Sequence, residues 1–268
     1  PVFIEVPQSH IRIVTTPALS LIVPAFNEER RIAYTIEKTG DYLVKRYSPG
    51  DFEVIVVDDG SSDTTAKVVA DLCKTRPWLQ ILTGEPNRGK GYATRRGIMA
   101  SKGKVIGFMD ADYKTPIEEL EKLVPLVEKD IDFAIGSRND ARAVIEVAQP
   151  FHRRIGSRAF GFVMHFLIGI KEIGDTQCGF KFLKRDVALD LFRRQEIDGY
   201  MFDVEVIAFA VRARYRIAQV PIRWHNDADS RYNPLLHTVK LGMDLLRIRK
   251  SLRKQPVAAA DTRARQFA

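Results

Sequence analysis

The chain has 268 residues, 45% hydrophobic and 28% charged, which excludes a disordered or fibrous protein and allows one large domain or two small ones, with a sizeable core. Lys and Arg total 42 against 34 Asp and Glu, a net charge of +8, so a polyanionic or anionic-membrane partner has to be weighed. Two cysteines, Cys73 and Cys178, are too few for a disulfide scaffold, show no metal spacing and favour a reducing, cytoplasmic setting.

Along the first half, short branched runs alternate with helical stretches. Leu19–Val23, Val54–Val57, Leu79–Leu82, Val105–Met109 and Phe133–Ile135 read as buried strands, almost uninterrupted in apolar character. Glu29–Arg46, Thr64–Lys74, Gly91–Ser101 and Ile117–Glu128 read as the helices between them. The last follows Thr115-Pro116, an N-cap and a first-position proline. This alternation predicts a parallel α/β sheet, which binds ligands at the carboxyl ends of its strands. After Arg138 the pattern changes. Asn139–Pro150 shows no period and reads as a mobile loop, and Phe151–Ile170 as a helix with an Arg-rich start. Asp175–Leu183 reads as a strand or hairpin, followed by helices near Val187–Arg194 and Asp203–Arg212, a strand at Ile217–Ile222 and an amphipathic helix at Leu235–Leu252.

The polar residues gather where strands end. Strand one runs into Pro24-Ala25-Phe26-Asn27-Glu28-Glu29 and strand two into Asp58-Asp59-Gly60-Ser61; strand three precedes Asn87-Arg88-Gly89-Lys90-Gly91 and strand four Asp110-Ala111-Asp112. One such cluster is an ordinary turn; four at one sheet edge can converge on a single ligand. Two carboxylates leaving a buried strand suit a sugar hydroxyl and a hard divalent ion, Mg²⁺ or Mn²⁺, bridging a diphosphate.

The set VPAFNEE, VVDDGSSD, NRGKG and DAD, in this order, resembles the family 2 glycosyltransferases of GT-A fold. GSR at 136–138, DTQCGFKFL at 175–183, MFDVEV at 201–206 and VPIRWH at 220–225 are similar to the dolichyl-phosphate β-glucosyltransferase branch and its prokaryotic polyprenyl-phosphate relatives. The resemblance implies a mixed α/β sheet flanked by helices in a single domain. It implies a metal-dependent, inverting hexosyltransferase that moves glucose from UDP-glucose to a polyprenyl phosphate. The alternatives are mannosyl transfer from GDP-mannose, and transfer of a UDP-sugar to a soluble glycan hydroxyl.

The resemblance also assigns residues. Pro24, Phe26 and Glu28 border base and ribose, Asp58 contacts the base, and Lys90 lies close to the nucleotide. Asp110 holds ribose or donor sugar, Asp112 the metal, and Asp175 and Gln177 line the donor sugar. Arg138, with one or more of Arg153, Arg154 and Arg158, holds the acceptor phosphate. Asp203 or Glu205 is the base that a hydroxyl acceptor would require; otherwise Asp203 reads as a helix cap. His225 is a candidate for the diphosphate, whereas His152, His165 and His237 share no metal spacing. Where the mannosyl-transferring branch has a metal-holding Gln, this chain has Lys114, a cation that cannot ligate metal while protonated and can contact phosphate instead. Cys178 reads as a packed small hydrophobe rather than a nucleophile.

On this reading residues 1–18 are an N-terminal extension and 19–232 the catalytic domain, with a nucleotide-sugar half (19–136) and an acceptor half (137–232). Residues 233–254 are a C-terminal amphipathic helix and 255–268 a disordered tail. The excess charge is local: residues 138–158 carry five basic and two acidic side chains, residues 240–268 eight and two, and the remainder nets −1. The first group coincides with the acceptor-phosphate arginines. The second belongs either to a core-packed helix with a solvated end or to a helix lying on an anionic membrane, peripheral on its cytoplasmic face. No aromatic-basic platform or recognition-helix pattern supports nucleic acid. Pro1–Ile13 has no signal-peptide core, and the longest apolar run, Ala159–Ile170, falls short of the ~20 residues of a bilayer span.

Overall fold

The computed structural model describes residues 16–84, 86–140, 142–145, 168–225 and 234–254, and for 234–240 the backbone alone. A seven-stranded sheet organises them. Its strands are β1 (Leu19–Ala25), β2 (Phe52–Asp58), β3 (Leu79–Thr83), β4 (Val105–Phe108), β5 (Phe133–Ser137), β7 (Lys181–Lys184) and β8 (Ile217–Pro221), in the spatial order β3-β2-β1-β4-β7-β5-β8. The helices are α1 (Ile32–Arg46), α2 (Thr65–Cys73), α3 (Lys90–Ala100), α4 (Leu120–Glu128), α5 (Arg185–Arg194), α6 (Phe202–Arg212) and α7 (Pro234–Lys254).

Period-two alternation on the central strands builds two cores. Leu19, Leu21 and Val23 of β1 and Val54 and Val56 of β2 face α1, α2 and α4; Ile22, Ile55 and Val57 face α3, α5 and α6. Because both faces are covered, β1 and β2 are buried along their whole length, and each fully buried aliphatic side chain contributes about 1.5–3 kcal/mol.

The sheet is mixed, as the resemblance implies: β7 runs antiparallel to both β4 and β5 and separates them. Three expectations are corrected. The segment after Arg138 is not structureless, since Val144–Ile145 form β6 and pair in parallel with β9 (Arg223–Trp224). Thr115 does not cap a helix. A single 3₁₀ turn, Ile117–Glu119, follows Pro116 and leads into α4, and the buried Glu119 carboxylate takes Lys122 at 2.6 Å and Arg223 at 2.5 Å. Nor does Asp203 cap α6: the cap position is Met201, without a side-chain cap bond. The helix expected at Phe151–Ile170 lies almost wholly outside the described residues, as do the N-terminal extension up to residue 15 and the tail from residue 255.

Helix α7 buries Asp244, Leu245, Ile248 and Ser251 against the body. Met243 and Leu246 of the same helix point outward and are 49% and 61% exposed. Arg247, Arg249, Lys250, Arg253 and Lys254 are exposed beside them. Among the described residues no helix is long and apolar enough to cross a membrane.

Candidate active site

The carboxyl ends of β1, β2 and β4 and the start of α3 open onto a cavity of about 670 Å³. Pro24, Phe26, Glu28, Asp59, Arg88, Lys90, Asp110, Asp112 and Lys114 border it, joined by Tyr200 and Met201 from before α6 and Leu241 and Asp244 from α7. All four strand-end clusters of the sequence therefore meet at one place. Asp58, Arg138, Asp175, Gln177 and Asp203 do not border this cavity.

Each loop is held in place by its own polar residues. Asn27 takes a left-handed conformation, φ 54°, which Asn tolerates; its N–H donates to Ser61 Oγ at 2.9 Å and its Oδ1 accepts the Ser62 N–H at 2.8 Å. Glu28 receives a two-pronged bond from Arg31, at 2.7 and 2.9 Å. Asp59, which the sequence reading passed over in favour of Asp58, accepts the backbone N–H groups of Arg88 and Gly89 and the Asn87 amide. That fixes the turn before α3, where Gly89 has φ 119° and lies against Asp198, so only glycine fits. The signal for Asp59 was present: in Asp58-Asp59, the second carboxylate is the one followed by the glycine turn. Asp58 accepts the Ser61 N–H through Oδ2, while its Oδ1 is buried with no hydrogen-bond partner, an acceptor left open.

Two lysines stand on the two aspartates of the DAD motif. Lys90 Nζ lies 2.5 Å from Asp110 Oδ1, and Lys114 Nζ lies 3.1 Å from Asp112 Oδ2. Burial pushes Asp110 upward, yet Lys90, with Lys181 and Arg138, outweighs it and the net shift is downward. Asp112 moves upward, through burial first and then the Asp110 charge, with Lys114 opposing. Lys90 is held above the ordinary lysine range because Asp110, Asp203 and Asp112 together overcome its burial. Between the two aspartates and Lys114, Tyr113 adopts φ 56°, a strain of about 1–3 kcal/mol for a bulky residue.

Behind this pair lies the DTQCGFK stretch. Gly179 packs so closely on Asp110 that a Cβ there would overlap the carboxylate. Arg138 and Asp175, assigned to acceptor phosphate and donor sugar, are each other's partners: Nε and Nη2 reach the two carboxylate oxygens at 2.8 and 2.9 Å, and the Arg138 N–H adds a third bond at 2.9 Å. The guanidinium also covers the Trp224 ring at 5.4 Å. Arg138 holds Asp175 well below the usual carboxylate range against the upward pull of burial. Gln177 approaches the Met201 sulfur at 3.9 Å. Arg153, Arg154 and Arg158 lie outside the described residues.

Asp203 is buried and bonded to Lys181 Nζ at 2.6 Å. Lys181, which the sequence reading did not single out, also donates to the Cys178 carbonyl. Burial raises Asp203 although Lys181 and Lys90 draw it down. Glu205 is buried as well; its Oε2 accepts the N–H groups of Glu196 and Ile197 at 3.1 and 2.9 Å, and burial pushes it up to about 7. Burial pushes the Cys178 thiol up to about 12, so it stays protonated and acts as a packed small side chain.

Among the described residues no three His, Cys, Asp or Glu side chains form a metal-ligating group. The donor set of Asp110 and Asp112 is nevertheless the right kind for Mg²⁺ or Mn²⁺: two carboxylates, oxygen only, at the border of one cavity. Two carboxylates fill only part of such a shell. They fit an ion shared with a diphosphate, not one enclosed by protein.

The model of "Glycosyl transferase family 2" matches residues 20–192. Dolichyl-phosphate β-glucosyltransferase of Mus musculus is 36% identical, over 87% of this chain and 75% of that protein; that of Saccharomyces cerevisiae is 33% identical, over 86% and 74%. Among solved structures, glucosyl-3-phosphoglycerate synthase from Mycobacterium tuberculosis, in complex with Mn²⁺, UDP and glucosyl-3-phosphoglycerate, aligns with TM-score 0.63 at 18% identity, over 92% of this chain and 82% of that one. The likeness carries the GT-A fold.

Proposed function

Since the chain belongs to glycosyl transferase family 2, we propose that it moves glucose from UDP-glucose to a polyprenyl phosphate, inverting the anomeric centre. The relatives that match most of its length are dolichyl-phosphate β-glucosyltransferases, and their names supply both the sugar and the kind of acceptor. The observation that carries the reading is the pair of lysine-neutralised aspartates, Asp110 with Lys90 and Asp112 with Lys114, at the mouth of one strand-end cavity.

The donor's base and ribose lie along Pro24, Phe26 and Glu28. Lys90 faces the diphosphate and Asp110 the sugar or ribose. Asp112, with Asp110 nearby, would hold Mg²⁺ or Mn²⁺, whose chemistry is to neutralise the leaving nucleoside diphosphate.

A phosphate monoester is largely dianionic at pH 7, its second pKa being near 6, and attacks the anomeric carbon without a strong base. The residues present agree with that economy. Asp203 is committed to Lys181, and Glu205 to the Glu196 and Ile197 N–H groups, so neither candidate base is placed for a hydroxyl acceptor. Catalysis is then positioning and electrostatics. Arg138, together with Arg153, Arg154 and Arg158, receives the acceptor phosphate, with Asp175 orienting the Arg138 fork. The outward Met243, Leu246 and cations of α7, next to cavity residues Leu241 and Asp244, meet the anionic membrane in which such an acceptor resides.

The test is a screen of radiolabelled nucleotide sugars against polyprenyl phosphates, with and without Mn²⁺. Chloroform-extractable counts from UDP-glucose, lost in Asp112→Ala, are the expected result. Counts confined to water-soluble product, or to GDP-mannose, would overturn the reading.

A further inference from the structure

Arg138 directly follows β5 and is held in two ways. Its backbone N–H, Nε and Nη2 all donate to the Asp175 carboxylate, at 2.9, 2.8 and 2.9 Å, and its guanidinium carbon lies 5.4 Å from the centre of the Trp224 ring. The two side-chain bonds run along one edge of a flat fork. Such bonds fix that edge but leave the plane able to hinge about it, and a ring packed against the guanidinium restricts the hinge. Nη1, at the far corner, makes no hydrogen bond among the described residues. The corner that the ring steadies is therefore the one open to an anion.

Trp224 is placed in turn by its neighbours in the chain. Successive side chains of a strand leave on opposite faces, so in β9 Trp224 meets Arg138 while Arg223 reaches Glu119 Oε1 at 2.5 Å. Glu119 is 1% exposed and sits in the 3₁₀ turn shortly after Asp112. The next residue, His225, donates its N–H to the Lys114 carbonyl at 2.8 Å, and β6 supports the strand from its other side. Residues 223 and 225 thus bind the segment that follows Asp110 and Asp112, on either side of the one ring that braces Arg138.

We infer that Trp224 is a positioning residue for the acceptor phosphate: its ring sets the tilt of the Arg138 fork, and β9 registers that fork against the loop carrying Asp110 and Asp112. The inference rests on the reading of Arg138 as an acceptor-phosphate ligand. It gives Trp224 no contact with substrate, only an effect through Arg138.

The test is steady-state kinetics with UDP-glucose and a water-soluble short-chain prenyl phosphate for wild type, Trp224→Leu and Trp224→Phe, each shown by thermal melting to be folded. Trp224→Leu should raise KM for the prenyl phosphate roughly tenfold and leave KM for UDP-glucose unchanged. Trp224→Phe, which keeps an aromatic face, should recover most of the loss. An unchanged KM for the prenyl phosphate in Trp224→Leu would overturn the inference, as would an equal rise in KM for UDP-glucose or equal losses in the two variants. A second measurement leaves Trp224 intact. The other tryptophan, Trp78, packs on Phe52, and in folded Trp78→Phe protein the Trp224 emission should shift saturably as the prenyl phosphate is added; emission that never responds would count against the role. Wild-type protein that transfers nothing to the prenyl phosphate overturns the acceptor reading and this inference with it. Transfer with a KM independent of Trp224 overturns the inference only.

Discussion

Lys181 Nζ and Asp203 Oδ1 are 2.6 Å apart, with both side chains almost fully buried. The pair joins β7 to the first turn of α6 beneath the cavity, and the Lys181 bond to the Cys178 carbonyl extends the join to the loop that backs Asp110. Breaking such a pair from one side leaves a buried charge uncompensated, at about 3–5 kcal/mol. Lys181→Met should therefore unfold at markedly lower denaturant, whereas Lys181→Met with Asp203→Asn should recover much of the loss. Equal midpoints for wild type and the single variant in urea titrations would refute this.

Glu205 makes stability depend on pH. Its folded pKa of about 7 lies above the ordinary 4.5, so the folded state holds the proton more tightly than the unfolded one. The resulting contribution is full below pH 4.5 and is lost as pH rises through 7. Glu205→Gln removes the ionisation and keeps an acceptor for the Glu196 and Ile197 N–H groups. Its melting temperature should match wild type near pH 4.5 and exceed it at pH 8, by no more than about 3 kcal/mol in stability. Parallel melting curves for the two proteins from pH 4.5 to 8 would contradict the assignment.

Gly179 and Gly174 make a matched pair of tests. A methyl at Gly179 would overlap the Asp110 carboxylate, whereas one at Gly174 meets only Gln219 Oε1 at 3.6 Å. A displacement of about 1 Å at a reacting centre costs up to ~100-fold. Gly179→Ala should lose about that much in kcat/KM with UDP-glucose, and Gly174→Ala almost nothing. Equal rates for both would show that Asp110 has freedom the packing denies it.

The outer face of α7 can be changed without touching its buried face. Near an anionic surface each cation contributes about 1 kcal/mol, so Arg249→Gln with Lys250→Gln should weaken binding to phosphatidylserine vesicles by roughly 30-fold. Leu246→Gln should weaken it further. Flotation that is unaffected by these three changes would remove the membrane role, and because Ile248 and Ser251 are buried, point substitutions are a cleaner probe than truncation.

The strand ends were legible because short, branched, doubly buried strands followed by Asn, Asp and Gly leave a local signature, and Asp110-Ala111-Asp112 and Lys90 fall where that signature puts them. Other features depend on partners distant in the chain. The pairing of Arg138 with Asp175 joins residues 37 apart, and that of Lys181 with Asp203 joins β7 to α6; no periodicity records either. Lys181 is a buried cation in a strand that lies inside the sheet, between β4 and β5. On α7, Met243 and Leu246 look like core positions by spacing, but Leu245 and Ile248, together with Asp244, take the inner face.

The reversed strand β7 also constrains how the molecule is made. The ladder that closes β4 onto β5 is supplied by residues 181–184, more than forty positions after β5. A nascent chain that has emerged only as far as Ser137 has β1, β2, β3 and β4 able to pair, while β5 waits with both its neighbours, β7 and β8, still to be synthesised. Final closure of the sheet is thus a late, non-local event, of the kind that slows folding and leaves apolar edges exposed to aggregation. The same insertion that backs Asp110 with Gly179 makes the two flanks of the strand-end cavity interdependent from the moment they fold.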